Sequence, residues 1–132
     1  MNKQLKKAIK YYDKFAKVYD LFSPKWYYGN ARKYAIQQMA LKEGSTVLNV
    51  PCGTGQNLEY FQKNMNNTGL IISIDLSEGM LEKAKEVVNK NDWKNVHIVK
   101  EDATKVNTTW LATQYDNTLR ADAILCDLGL SG

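Results

Sequence analysis

An α/β fold built on a doubly wound parallel sheet is what this sequence predicts, and three observations carry the prediction. Short β-branched and apolar runs recur at TVLNV (46–50), LIISID (70–75), VHIVK (96–100) and ADAIL (121–125). Stretches of helical spacing separate the first three runs, as strands joined by crossover helices require. The first run passes at once into a turn with two glycines one residue apart, Gly53 and Gly55, and the second run ends on Asp75, about twenty residues after that turn. Repeated strand, helix, strand units with right-handed crossovers give the order 3-2-1-4, counting from the run at 46–50.

Glycine lacks a Cβ, so it takes positive φ easily and lets a ligand lie against bare backbone. A small molecule is therefore expected on the turn. An acidic side chain at the tip of the next strand can accept both hydroxyl hydrogen bonds of an adenosine ribose, which favours an adenosine-containing cofactor. The dinucleotide pattern wants a third glycine three positions after Gly55, and Leu58 stands there instead, so NAD is the weaker candidate. Residues 56–63 read as a helix whose first N–H groups point toward the site, where they could meet a phosphate or a carboxylate.

TVLNVPCGTG, IISIDLSEGML, VKEDAT and ADAILCDLGLSG, in that order, resemble the first four strands of the class I S-adenosylmethionine-dependent methyltransferases, whose fold is Rossmann-like. The opening YYDKFAKVYDLF is similar to the lead-in helix of the small-molecule and lipid branch, the ubiquinone-biosynthesis and phosphatidylethanolamine N-methyltransferase types. The resemblance implies S-adenosylmethionine as cofactor and no metal. It implies Asp75 on the ribose, Leu76 and Met80 flanking the adenine, and Asp102 with the Ala103 backbone at the adenine amino group. Asn49, Cys52, Gly53 and Gly55 would surround the methionine moiety. Tyr19 would reach the methionine end or the acceptor, and Asp127, at the fourth strand's end facing the reacting methyl, would help orient the acceptor. Two positions depart from the family's acidic-x-Gly-x-Gly-x-Gly turn: Asn49 replaces the acid and Pro51 the first glycine. Asparagine keeps an acceptor oxygen without the charge, and proline fixes φ and removes an N–H.

Read without the resemblance, several of these residues have plainer roles. Met80 and Leu81 could be helix core, Asp102 a helix cap, and Cys52 and Cys126 small buried apolar residues. Two cysteines are too few for a disulfide framework, and one histidine, His97, leaves a zinc site without its usual ligands.

Taken in order, residues 3–19 carry apolar side chains at Leu5, Ile9, Tyr12, Phe15, Ala16 and Tyr19, a three- and four-residue spacing that predicts an amphipathic helix. Its lysines are either solvated or rest on an anionic lipid surface. Ser23-Pro24 breaks it, KWYYG (25–29) is an aromatic loop, and a second helix is expected over 30–41. Ser77 is a good cap for a helix over 78–89, with acids early and Lys90 late. Residues 104–119 are polar and hold at most a short helix.

Residues 1–44 form the expected helical arm or lid, and 45–132 the cofactor-binding core. The arm holds ten Lys or Arg against three acids, whereas the core holds eight against eleven. That asymmetry raises an anionic membrane surface or nucleic acid as partners. No apolar run approaches the roughly 18 residues that span a bilayer, so the expectation is cytoplasmic, with peripheral membrane contact through the arm. The expected acceptor is a small molecule or lipid with an amine or quinone-like head group. RNA methylation and a non-catalytic cofactor-binding or assembly domain are the alternatives. The family's three further strands are absent, which leaves the strand over 121–128 as an expected open edge. A partial chain, a homodimer through that edge, or a partner chain would each account for it.

Overall fold

The structure is a computed structural model and describes residues 17–21, 28–50 and 55–127. Five parallel strands form one sheet: β1 (Lys17–Leu21), β2 (Thr46–Asn49), β3 (Leu70–Asp75), β4 (Val96–Lys100) and β5 (Ala123–Asp127). Their order is β1-β5-β2-β3-β4. Counted from β2, the last four run 3-2-1-4 as predicted. The helices are α1 (Tyr28–Gln38), α2 (Leu58–Met65), α3 (Glu78–Asn91) and α4 (Thr108–Gln114), with a short 3-10 turn at Ala103–Lys105.

Alternation along the strands sorts the core into two layers. Val47, Ile71, Ala123 and Leu125 face one way and pack against Ile36 and Met39, against Leu58, Phe61 and Met65 of α2, and against Val87 and Val88 of α3. Leu48, Ile72, Ile74 and Ile124 face the other way, onto Val106, Leu111 and Ala121. The segment that returns the chain from β4 to β5 thus covers the second face, and the sheet is wound on both sides.

Two expectations change. Residues 17–19, read as the end of the first helix, belong to β1, which pairs in register with β5 from Lys17↔Ala123 to Leu21↔Asp127. Val18, Tyr19 and Leu21 are good strand formers, and the bare flank of β5 offers them a hydrogen-bond ladder that outweighs a helical pattern. For the same reason β5 is not an open edge: β1 lies on one side and β2 on the other. The outer edge is β1. The rest of the expected first helix and most of the aromatic loop lie outside the described residues.

Polar bonds fix the register at the base of the sheet. Asp122 Oδ2 accepts from Thr46 N–H at 2.7 Å, and Asp122 N–H donates to the Thr46 carbonyl at 2.8 Å. Gln62 and Asn95 exchange two amide hydrogen bonds of 2.7 and 3.0 Å, and Asn95 also reaches the Thr68 carbonyl. These bonds tie α2 to the start of β4.

Candidate functional site

Because all strands are parallel, their C-terminal ends share one edge of the sheet, and the helices that follow β2 and β3 begin there. In a doubly wound sheet ligands bind at such an edge, where successive crossovers diverge. The divergence lies between β2, whose chain proceeds to β3 on one side, and β5 on the other. In register, Asn49 pairs with both Ser73 and Leu125. Asp75 and position 127 therefore stand two residues beyond the level of Asn49, one on each side of β2. Adjacent strands lie about 4.8 Å apart, so the two positions are roughly 10 Å from one another.

Asp75 is half-buried. Its Oδ1 accepts from Ser77 N–H at 3.0 Å, a turn that fixes the carboxylate at the strand tip. Ser77 in turn caps α3, its Oγ accepting from Met80 N–H at 3.3 Å. The two apolar residues after Asp75 on this rim, Leu76 and Met80, are 55 % and 41 % exposed. They are two of three large hydrophobic side chains exposed among the described residues, and both stand beside the same carboxylate. The alternative of Met80 as helix core does not hold, whereas Leu81 is buried.

Asp102 follows β4 and begins the 3-10 turn. Its Oδ1 accepts from both Thr104 N–H (2.9 Å) and Thr104 Oγ1–H (2.8 Å), and these bonds hold its carboxyl below the ordinary aspartate value. Oδ2 accepts no bond from the described residues. Asp102 is thus a cap, and it also keeps an outward carboxylate oxygen. Ala103 is half-buried against the second-face core. Glu101, which the sequence did not single out, bridges Asp102 N–H (2.8 Å to Oε1) and the Trp110 indole N–H (3.3 Å to Oε2). Its own N–H donates to the Asp75 carbonyl at 3.1 Å. Lys100 pairs with Glu78 at 2.7 Å, which holds the Glu78 carboxyl low.

Cys52 and Gly53 lie outside the described residues. Gly55 is buried with φ +88°. A Cβ there would come within 3.2 Å of Leu58 Cδ1 and 3.4 Å of Ala84 Cα. The space its missing side chain leaves is filled by α2 and α3, so Gly55 serves close packing, the role the absent third glycine would have had. Asn49 is fully buried, and among the described residues neither its Oδ1 and Nδ2 nor Ser73 Oγ has a hydrogen-bond partner. Tyr19 sits in β1, opposite Leu125, with β5 between it and β2. The structure brings Asp75, Leu76, Met80, Asp102 and Ala103 to one rim and sets Tyr19 on the far side of β5.

Asp75, Glu101 and Asp102 make this rim acidic, with Lys100 paired to Glu78 and Lys105 near Asp102, so it favours a cation over a diphosphate. An apolar patch beside a carboxylate suits a nucleoside. These features fit S-adenosylmethionine, whose sulfonium and ammonium are positive and which carries no phosphate.

A family model described as methyltransferase domain matches residues 47–128, most of the chain and the whole span from β2 to β5. The chain belongs to this methyltransferase family. It is a class I S-adenosylmethionine-dependent methyltransferase domain, and S-adenosylmethionine is the cofactor of its fold. A demethylmenaquinone methyltransferase of Staphylococcus saprophyticus is 38 % identical over 72 residues, 54 % of this chain and 30 % of the relative. One of Staphylococcus aureus strain MRSA252 is 36 % identical over 75 residues, 57 % and 30 % of the two chains. This chain therefore matches about a third of the length of these relatives. Among solved structures, NSun6 from Pyrococcus horikoshii, determined with the S-adenosylmethionine analogue SFG, superposes with a TM-score of 0.52 at 27 % identity. That match covers 56 % of this chain and 19 % of NSun6. Among the described residues no helix is long and apolar enough to cross a membrane, and no three His, Cys, Asp or Glu side chains gather as metal ligands.

Proposed function

We propose that this chain binds S-adenosylmethionine at the rim of β2, β3 and β4 and serves methyl transfer to a quinone-like acceptor. The observation that carries the reading is the Asp75 carboxylate at the strand tip with the exposed Leu76 and Met80 following it on the same rim, one polar and one apolar surface for the two parts of a nucleoside. Asp75 accepts the ribose hydroxyls, Leu76 and Met80 cover the adenine faces, and Asp102 Oδ2 accepts from the adenine amino group with the Ala103 backbone alongside. Asn49, Cys52, Gly53 and Gly55 surround the methionine end.

The cofactor supplies an electrophilic sulfonium methyl, already attached to a good leaving group. The protein's work is to hold the acceptor in line with that methyl and to exclude water. A quinol-type acceptor must lose a hydroxyl proton to become nucleophilic, and we assign that proton to the carboxylate of Asp127, the last residue of β5. Tyr19 helps orient the acceptor. The acceptor class rests on the names of the staphylococcal relatives, and the basic character of residues 1–44 suits the anionic membrane surface where a lipid quinone resides.

Titration calorimetry with S-adenosylmethionine tests the reading. Binding in the micromolar range is expected. Asp75→Ala should weaken it by about 10- to 100-fold, the worth of hydrogen bonds to a charged acceptor, with the melting temperature little changed. Absent or millimolar binding by the unaltered protein would sink the assignment. Methyl transfer from labelled cofactor to a short-chain quinol, set against RNA as control, then tests the acceptor.

A further inference from the structure

Beyond the residues that meet the ligand, the second face of the sheet holds an unexplained chain of contacts leading to the rim. His97 of β4 stacks on Tyr115 with ring centroids 5.6 Å apart and planes 17° from parallel, and its Nδ1 lies 3.3 Å from the Tyr115 hydroxyl. Tyr115 meets Trp110 at 6.3 Å and 60°. Trp110 N–H donates to Asn107 Oδ1 at 2.8 Å, so backbone and ring are both fixed. The indole N–H points at Glu101 Oε2, and Glu101 Oε1 holds Asp102 N–H.

We infer that Trp110 is a positioning residue for recognition of the adenine amino group, acting through the Glu101 carboxylate on Asp102. The inference rests on the proposed cofactor site. Each Glu101 oxygen holds one donor, so this carboxylate bridges Asp102 N–H and the Trp110 indole. A carboxylate held by two donors keeps one rotamer. Here that rotamer sets the peptide between residues 101 and 102, and with it the direction of Asp102 Oδ2. The Glu101 N–H, in the preceding peptide, donates to the Asp75 carbonyl and so links this stretch to the ribose side. Without the indole donor, Glu101 is left half-buried with one oxygen unpartnered and turns toward water, and the Asp102 backbone loses its fixed acceptor.

The test compares S-adenosylhomocysteine with S-inosylhomocysteine, which carries a 6-oxo group in place of the amino group, by calorimetry. The unaltered protein should prefer the adenine ligand by about tenfold or more, the worth of one such hydrogen bond. Trp110→Phe, which keeps a ring but removes the N–H, should reduce that preference to about twofold or less, chiefly by weakening adenine binding. Glu101→Gln, which keeps the shape but disrupts the two-donor bridge, should move the ratio the same way and provides the test if Trp110→Phe fails to fold. A general loss of structure would weaken both ligands together and leave their ratio intact. An unchanged preference in both variants overturns the inference while the cofactor site stands. If the unaltered protein binds neither ligand, the site itself is wrong and the inference falls with it.

Discussion

Asp102 is a structural cap and, in the proposed site, a ligand contact as well. Its folded-state pKa is lowered by the Thr104 N–H and hydroxyl, so its contribution to stability is present above the unfolded value, about 3.9, and is lost as pH falls through the lower folded value. Thr104→Val removes the hydroxyl donor, and the Asp102 carboxyl should then titrate at higher pH than in the unaltered protein when followed by carboxyl-carbon NMR. An identical titration in both would mean the hydroxyl bond is not made in solution. Other single residues were only partly legible. The exposed pair Leu76 and Met80 follows from their place after a strand-end acid, where no further layer covers them. The Glu101–Trp110 contact joins residues nine apart on different elements, and no periodicity encodes that. Gly55 was read as a surface for the ligand, but its missing side chain faces Leu58 and Ala84, because the tilt of α3 against α2 is not written in the turn.

At the scale of elements, the predicted strands over 70–75 and 96–100 agree with the structure residue for residue; the first is apolar nearly throughout because it is a parallel strand covered on both faces, whereas β4, at the sheet edge, leaves His97 and Lys100 exposed. Boundaries moved where backbone stops do not need glycine. α1 ends before Ala40 and α3 before Asp92, each with φ near +54°, conformations that sequence alone assigns to glycine or asparagine first. The turn into β3 does depend on glycine. Gly69 has φ +74°, and a Cβ there would collide with the Ser45 carbonyl oxygen and the Gly44 carbon. Gly69→Ala should cost about 3 kcal/mol or more, since backbone on both sides must shift, measured as a drop in urea midpoint. Ser77→Ala removes the α3 cap and should cost about 1 kcal/mol. Alanine keeps the Ser77 N–H that anchors the Asp75 carboxylate, so S-adenosylmethionine binding should change little.

Across the whole molecule, β1 decides how the sheet is closed on its β5 side. A protein lacking residues 1–21 should expose the β5 edge and self-associate, seen as a rise in mass by light scattering at micromolar concentration. A truncated protein that stays monomeric and folded would show that β1 does not protect that edge. The core itself is shared by the helices of one face, with Phe61 fully buried among α1, α2 and the sheet. Phe61→Ala should cost about 3–5 kcal/mol, a large share of the stability of a domain this size.

By itself the sequence determined the fold class, the order of four strands and the place of Asp75 at a strand tip on the rim. Local patterns suffice for these, because period-two burial, crossover length and handedness leave few other arrangements. Only the tertiary structure decided that residues 17–21 become a strand, that Asn49 and Ser73 are buried in register on neighbouring strands, and that Trp110 reaches Glu101. Each of those depends on which surfaces lie empty once the other elements have packed, and an unfilled edge or an unpaired donor has no signature in the residues that come to occupy it.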